Sequence, residues 1–166
     1  RYDGKTWESY TEGHGLTNNH VLSIAIDDNG VVWFGTFGGG VSRYDGLWTT
    51  YTEESGLASN EVLSIAIGSD GMVWFGTWEG VTRYDGEMWS TFKGGVGIEQ
   101  DVTSIAIGTN GEVWLGTGYG VSKYDGEEWK IYTEDDGLPQ NYVRSIAIDL
   151  DGNVWCGGDF CVFRYD

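Results

Sequence analysis

Apolar and polar residues along this chain follow one pattern, and the pattern comes round four times. Ser-Ile-Ala-Ile starts at Ser23, Ser64, Ser104 and Ser145, at spacings of 41, 40 and 41 residues. A Val-Trp pair keeps the same spacings and places Trp33, Trp74, Trp114 and Trp155. A second series runs Trp7, Trp48, Trp89 and Trp129, and Tyr-Asp recurs at Tyr2, Tyr44, Tyr84, Tyr124 and Tyr165. Within one unit, 21–27 is a nearly continuous apolar run, as expected of a strand covered on both faces. Shorter runs at 31–36, 41–45 and 48–52 predict three more strands. Asn29-Gly30, Asp70-Gly71, Asn110-Gly111 and Asp151-Gly152 predict the first hairpin of each unit. Asp45-Gly46, Asp85-Gly86 and Asp125-Gly126 predict the last, because Asx-Gly accepts the positive φ of a tight hairpin. Each unit is therefore a four-stranded antiparallel meander. Four strands every 40 to 45 residues is the pattern of a β-propeller blade.

The blades run out of phase with the chain. Residues 21–52, 62–92 and 102–132 give three complete blades, whereas 143–166 supplies only three strands. The strand expected at 6–11 would serve as the missing outer strand and close the last blade. One duplication complicates this closure: Arg1-Tyr2-Asp3 repeats the third-strand ending Arg164-Tyr165-Asp166. Either the extra residues hang free, or the N-terminal strand completes a blade of another chain. The expectation is a single all-β domain, 1–166, that is a four-bladed monomer or half of an eight-bladed homodimer.

Composition sharpens this picture. Gly makes up 28 of 166 residues and Pro occurs once, a palette of tight turns and packed strands. The net charge of −17 excludes nucleic acid as a partner, since phosphate recognition needs clustered Lys and Arg. An anionic membrane surface is disfavoured for the same reason, and no apolar run approaches the ~20 residues of a membrane-spanning helix. The chain starts at Arg1 rather than Met, as expected of a processed, excised or designed sequence. Cys156 and Cys161 cannot by themselves form a disulfide framework or a zinc site. They are either a cross-hairpin disulfide or two buried thiols.

Gly-Leu-x-x-Asn-x-Val-x-Ser-Ile-Ala, then Asp-Gly-x-Val-Trp-Phe-Gly-Thr, then Gly-Val-Ser-Arg-Tyr-Asp resembles the two-component regulator propeller repeat over essentially the whole chain. The resemblance implies a β-propeller and a sensory, ligand-binding role in a periplasmic or extracellular setting, with saccharide ligands recurrent. Sensors of that family usually carry more than four blades, and this chain shows no membrane segment, kinase or regulator domain.

In a meander blade, the loop entering the first strand shares a face with the loop between the second and third strands. The second-to-third loops contribute Phe37, Trp78, Tyr119 and, across Gly158-Asp159-Phe160, either Asp159 or Phe160. An aromatic ring in a glycine-rich loop offers a flat apolar face beside free amides, suited to a sugar ring or a peptide side chain. Alternatively, such rings cover the gap between blades. The entering loops contribute His20, Glu61, Asp101 and Tyr142, which no shared geometry demands and which could bond a ligand. Before them stand Asn19, Asn60, Gln100 and Asn141, expected to cap the turn into the strand. Three residue types in the His20 series give no repeated metal-ligand set, and nothing implies a cofactor.

Catalysis finds no motif: His14 and His20 stand beside no nucleophile signature, and G-x-S-x-G, H-E-x-x-H and a P-loop are absent from the sequence. The leading reading is a non-catalytic ligand-binding sensor propeller for a glycan or peptide. The alternative is a designed or excised repeat scaffold whose main property is folding and self-assembly.

Overall fold

The computed structural model describes residues 1–94, 98 and 101–165. Three meanders form as the turn chemistry requires. The first contains β1 (Val21–Ile26), β2 (Val32–Thr36), β3 (Val41–Tyr44) and β4 (Trp48–Tyr51). The second contains β5 (Val62–Ile67), β6 (Val73–Thr77), β7 (Gly80–Tyr84) and β8 (Trp89–Phe92). The third contains β9 (Val102–Ile107), β10 (Val113–Thr117), β11 (Gly120–Tyr124) and β12 (Trp129–Tyr132). The fourth sheet has three strands, β13 (Val143–Ile148), β14 (Val154–Gly158) and β15 (Val162–Tyr165). All pairings are antiparallel, and the fold is four blades of a β-propeller. Apart from three short 3-10 turns, the described residues contain no helix, and none could cross a membrane.

Blades stack in chain order, and aromatic residues fill the wedge between them. Trp33 of β2 meets Phe75 and Tyr84 of the second blade, at ring-centroid distances of 5.6 and 6.0 Å. Trp74 meets Tyr124 and Trp129 of the third, at 5.8 and 6.2 Å. Trp114 meets Tyr165 of the fourth at 5.4 Å. Trp33, Trp74, Trp114 and Phe75 are all buried. Backbones approach closely beneath these rings: a Cβ on Gly35, Gly76 or Gly116 would lie within 2.9 Å of Val62, Val102 or Val143 of the next blade. The repeated serine joins neighbouring innermost strands. Ser23 Oγ accepts from the Ile65 amide at 2.9 Å, and Ser104 Oγ from the Ile146 amide at 3.1 Å. Ser64 Oγ instead donates to the Val102 carbonyl at 3.0 Å.

Two expectations need correction. Residues 6–11 do not join the fourth sheet, which ends at β15. They are held at the other end of the stack, where Tyr10 packs on Tyr44 and Trp48 of the first blade at 5.7 and 5.8 Å. Their open edge is already taken, because Tyr2 bridges Trp7 and the Arg1 and Glu8 backbones exchange hydrogen bonds. Trp155 is also not core like its three counterparts: no described blade packs over it, and it is 41% exposed. The outward face of the first blade is open too, with Ile24 and Ile26 59% and 64% exposed.

The cysteines are free, Cys156 buried and Cys161 exposed. Burial pushes the Cys156 thiol up to about 11, so it stays protonated and inert near neutrality. The sequence position of Cys161 is informative. Its counterparts Gly40, Gly80 and Gly120 all have positive φ, and a Cβ there would run into the carbonyl of Tyr51, Phe92 or Tyr132 at the end of the outer strand. The fourth blade has no outer strand and tolerates a side chain at that position.

Phe75→Ala removes a fully buried ring from the wedge, so it should cost about 3–5 kcal/mol in urea unfolding. Leu150→Ala, at a fully exposed turn position, should stay within about 0.5 kcal/mol.

Candidate functional site

The candidate site is built by two loops that hold each other. In the first blade the Phe37 amide donates to the His20 carbonyl at 2.9 Å, and Asn18 Nδ2 donates to the Phe37 carbonyl at 2.8 Å. Thr17 Oγ1 adds a bond to the Gly39 carbonyl at 2.7 Å. In the second blade the Trp78 amide donates to the Glu61 carbonyl at 3.1 Å. The entering and second-to-third loops therefore do share one face. Each second-to-third loop is also tied to itself. Thr36, Thr77 and Thr117 donate from Oγ1 to the carbonyls of Gly40, Gly80 and Gly120 at 2.9, 2.9 and 3.1 Å.

The entering loop is rigid for a reason that the residue pattern carries in three repeats. Thr11-Glu12, Thr52-Glu53 and Thr133-Glu134 each open a 3-10 turn that ends at a left-handed glycine. Asn19 Oδ1 accepts from the Glu12 amide, and Glu12 Oε1 accepts from the Asn19 amide, both at 2.9 Å. Asn60 and Glu53 repeat this clasp at 3.0 Å in both directions. Asn141 and Glu134 repeat it at 3.1 and 2.8 Å. Asn19, Asn60 and Asn141 are thus structural, as expected of residues that cap the turn. The third repeat's Gln100 lies outside the described residues.

On this frame the rings face solvent. Phe37, Trp78 and Tyr119 are about half exposed, and Phe160 is 90% exposed. They do not occupy one equivalent position. Pairing of Thr77 with Gly80 and of Thr117 with Gly120 makes Trp78 the counterpart of Gly118, and Tyr119 the counterpart of Glu79. The Glu79 and Tyr119 amides confirm this register, donating to Thr77 and Thr117 Oγ1 at 3.2 and 3.1 Å. The aromatic row therefore zigzags: Phe37 and Trp78 take the first loop position, Tyr119 and Phe160 the second.

The polar candidates differ in how they are held. His20 is exposed and its ring lies 5.3 Å from that of Phe37. Glu61 is half-buried, and Tyr142 is 36% exposed. Asp101 is half-buried beside Gly118; burial raises its carboxyl above the ordinary value, partly offset by a backbone hydrogen bond from Gly118. The fourth loop is organised by a residue that the motif comparison passed over. Arg144 pairs with Asp159 and places its guanidinium 4.9 Å from the Tyr142 ring centroid. Asp159 thus turns to Arg144, and Phe160 is left as the exposed ring. The signal was available, since Arg144 stands where the other repeats have Leu22, Leu63 and Thr103. Among the described residues no group of three or more His, Cys, Asp or Glu side chains could hold a metal.

A groove of about 560 Å³ lies away from these loops, on the open face of the first blade, between Ile24, Ile26, Phe34, Tyr44, Trp48 and Tyr10. It is apolar, and its counterparts deeper in the stack are filled by the preceding blade. The polar candidates thus lie on the loop face, apart from this apolar groove.

Residues 15–38 and 56–79 match the two-component regulator propeller model. The extracellular domain of a hybrid two-component system from B. thetaiotaomicron superposes with a TM-score of 0.85 at 27% identity. That match covers 96% of this chain and 23% of the other, so the chain spans about a quarter of that domain's length. Virginiamycin B lyase from Staphylococcus aureus superposes with a TM-score of 0.68 at 22% identity, covering 92% of this chain and 58% of the enzyme. The computationally designed protein Ika4 gives 0.67 at 17% identity, with 94% of each chain covered. The last two likenesses concern the fold. No curated protein matches the sequence.

Carboxylate NMR titration should separate two aspartates. Asp149 accepts from Trp155 Nε1 and from Asn153, both at 2.9 Å, and its carboxyl is held down to about 2. Asp101 should titrate above the ordinary 3.8. Because the folded value of Asp149 is depressed, its stabilising contribution is complete above about pH 4 and fades as pH falls toward 2. Asp149→Asn should flatten the acid limb of the stability profile in that window.

Proposed function

We propose that this chain, two segments of which match the two-component regulator propeller model, is a non-catalytic ligand-binding module of an extracytoplasmic sensor. The observation that carries the reading is the row of solvent-facing rings Phe37, Trp78, Tyr119 and Phe160 on rigid, mutually bonded loops. Apolar rings left in water beside loops already held by such bonds cost little to use, since those loops need not be ordered on binding. The similarity to the extracellular domain of a hybrid two-component system supports a sensory role and a periplasmic or extracellular setting.

The ligand class we propose is a glycan. Its rings would stack on the aromatic side chains, and its hydroxyls would meet His20, Glu61, Asp101 and Tyr142. Glu61 and Asp101 are acceptors for hydroxyl donors, and the loop amides not engaged in the clasps are donors. Four similar but unequal subsites suit a repetitive polymer, for which weak individual contacts combine. The similarity to virginiamycin B lyase is one of fold.

Trp78→Ala and Tyr119→Ala should each weaken oligosaccharide binding by about tenfold, on the scale of one lost stacking contact, with the thermal midpoint within a few degrees of the parent. Calorimetry against a panel of soluble oligosaccharides reads the first quantity and circular dichroism the second. If the panel is silent and acidic or basic peptides bind instead, the ligand class is wrong while the site stands. If both variants unfold the protein, the rings are wedges and the site assignment fails.

A further inference from the structure

The chain carries two copies of one strand end and a single strand for them to pair with. Arg1-Tyr2 lies along Trp7-Glu8 as Arg43-Tyr44 lies along Trp48-Thr49 in the first blade. Arg164-Tyr165 ends β15, the last strand of its sheet among the described residues. The sheet faces are left over in the same complementary way. The first blade exposes Ile24, Ile26 and the apolar groove; the fourth exposes Trp155 and Val162. Each open face has buried counterparts inside the chain, and these show how the two would fit together.

We infer that two copies of this chain close head to tail into one eight-bladed ring, in which the fourth blade of each packs on the first blade of the other and takes its N-terminal strand.

The three internal junctions specify the contacts. Trp155 would enter the groove at Phe34, Tyr44 and Trp48 of the second copy, as Trp33 meets Phe75 and Tyr84. Gly157, against which only Ser145 now lies within 4 Å, would receive Val21, as Gly35 receives Val62. Ser145 would reach the Ile24 amide, as Ser23 reaches Ile65. Along the exchanged strand, the register of β3 on β4 places Tyr165 opposite Trp7, Arg164 opposite Glu8, Phe163 opposite Ser9 and Val162 opposite Tyr10. The corresponding pairs within the chain are Arg43–Thr49, Arg83–Ser90 and Lys123–Lys130. The hairpin already sets Arg1 opposite Glu8, so the exchange keeps an Arg–Glu pair across the ladder that the internal blades lack. Arg1–Asp3 would be displaced; they are exposed, as is Trp7 at 80%, so the placeholder hairpin is lightly held.

One copy cannot make this junction with itself in the observed stack, because β13 packs on β9 and the first and fourth blades lie at opposite ends. Two head-to-tail contacts related by a two-fold axis close a ring and leave no open face. Two features oppose association. Each copy carries −17, so the dimer should strengthen as salt screens the repulsion. Cys161 puts a side chain where the outer strand's last carbonyl approaches in the other blades, so the ladder should part at Val162. Cys161→Gly should tighten the dimer.

Native mass spectrometry and light scattering at tens of micromolar protein and about 0.15 M salt should give twice the 18.3 kDa of one chain. A monomer, or any larger species, overturns the two-copy ring. Ile24→Glu and Trp155→Ala alter side chains already exposed in one copy, so each should keep the strand signal. Each should weaken dimerisation roughly 30-fold or more, the scale of one interface hot spot. The Glu8→Cys, Arg164→Cys pair, in a Cys161→Ser background, tests the strand exchange. Oxidation should give a covalent dimer on a non-reducing gel. An intrachain bond means self-closure, and a dimer without the cross-link means faces without strand exchange; either outcome overturns the proposal as stated.

Discussion

The structure depends on one contact repeated down the stack: a tryptophan from the second strand of each blade wedged into the aromatic residues of the next. Trp33, Trp74 and Trp114 each play this part, and each is buried only because another blade follows. A single four-stranded meander has two faces and cannot bury either alone, so its stability comes from its neighbours. Hence the close glycine–valine approach below the rings and the serine bonds between inner strands recur in register with the tryptophans. The same contact explains the ends of the molecule. Trp155 carries the wedge and Ile24 and Ile26 the receiving surface, and all three are exposed because no described blade packs on them.

Rigidity at the loop face comes from a second repeated device. Glu12–Asn19, Glu53–Asn60 and Glu134–Asn141 each satisfy two backbone amides reciprocally, closing the entering loop over its 3-10 turn. With the loop backbone fixed this way, its variable positions are free to differ between blades. That division of labour fits a binding surface: the clasp residues are the same in three of the four repeats, while His20, Glu61 and Tyr142 beside them change. The fourth loop shows the frame being modified. Gly158 replaces the threonine that ties the other second-to-third loops, and the Arg144–Asp159 pair organises the loop instead.

The acidity of the chain acts on association more than on fold. Several aspartates sit in hairpins, where they accept backbone amides; Asp85 and Asp125 each take two from their turn, and their carboxyls are held below the ordinary value as a result. These groups are exposed, so their charge contributes little to packing and much to keeping open apolar faces apart from wrong partners. The apolar ends of the stack are thus selective by shape, since a partner must match the wedge well enough to offset the repulsion.

The sequence by itself determined the blade. The period, the Asx-Gly turns and the continuous first strand placed all fifteen strands near their observed positions, because hairpins and alternating burial are local properties that short stretches of sequence encode. It also made the role of Asn19, Asn60 and Asn141 legible. Two kinds of question were decided only by the tertiary structure. The first is register within loops: Trp78 and Tyr119 look equivalent in sequence, and only the Thr77–Gly80 and Thr117–Gly120 pairings set them one position apart. The second is what each repeated residue meets. Trp155 follows Val154 at the repeat position where Trp114 follows Val113, yet one is exposed and the other buried. Residues 6–11 read as the outer strand of the fourth blade, yet Tyr10 lies on the first. Burial in a stack is a property of the neighbouring blade, and a repeat carries no local mark of whether it stands in the middle or at an end.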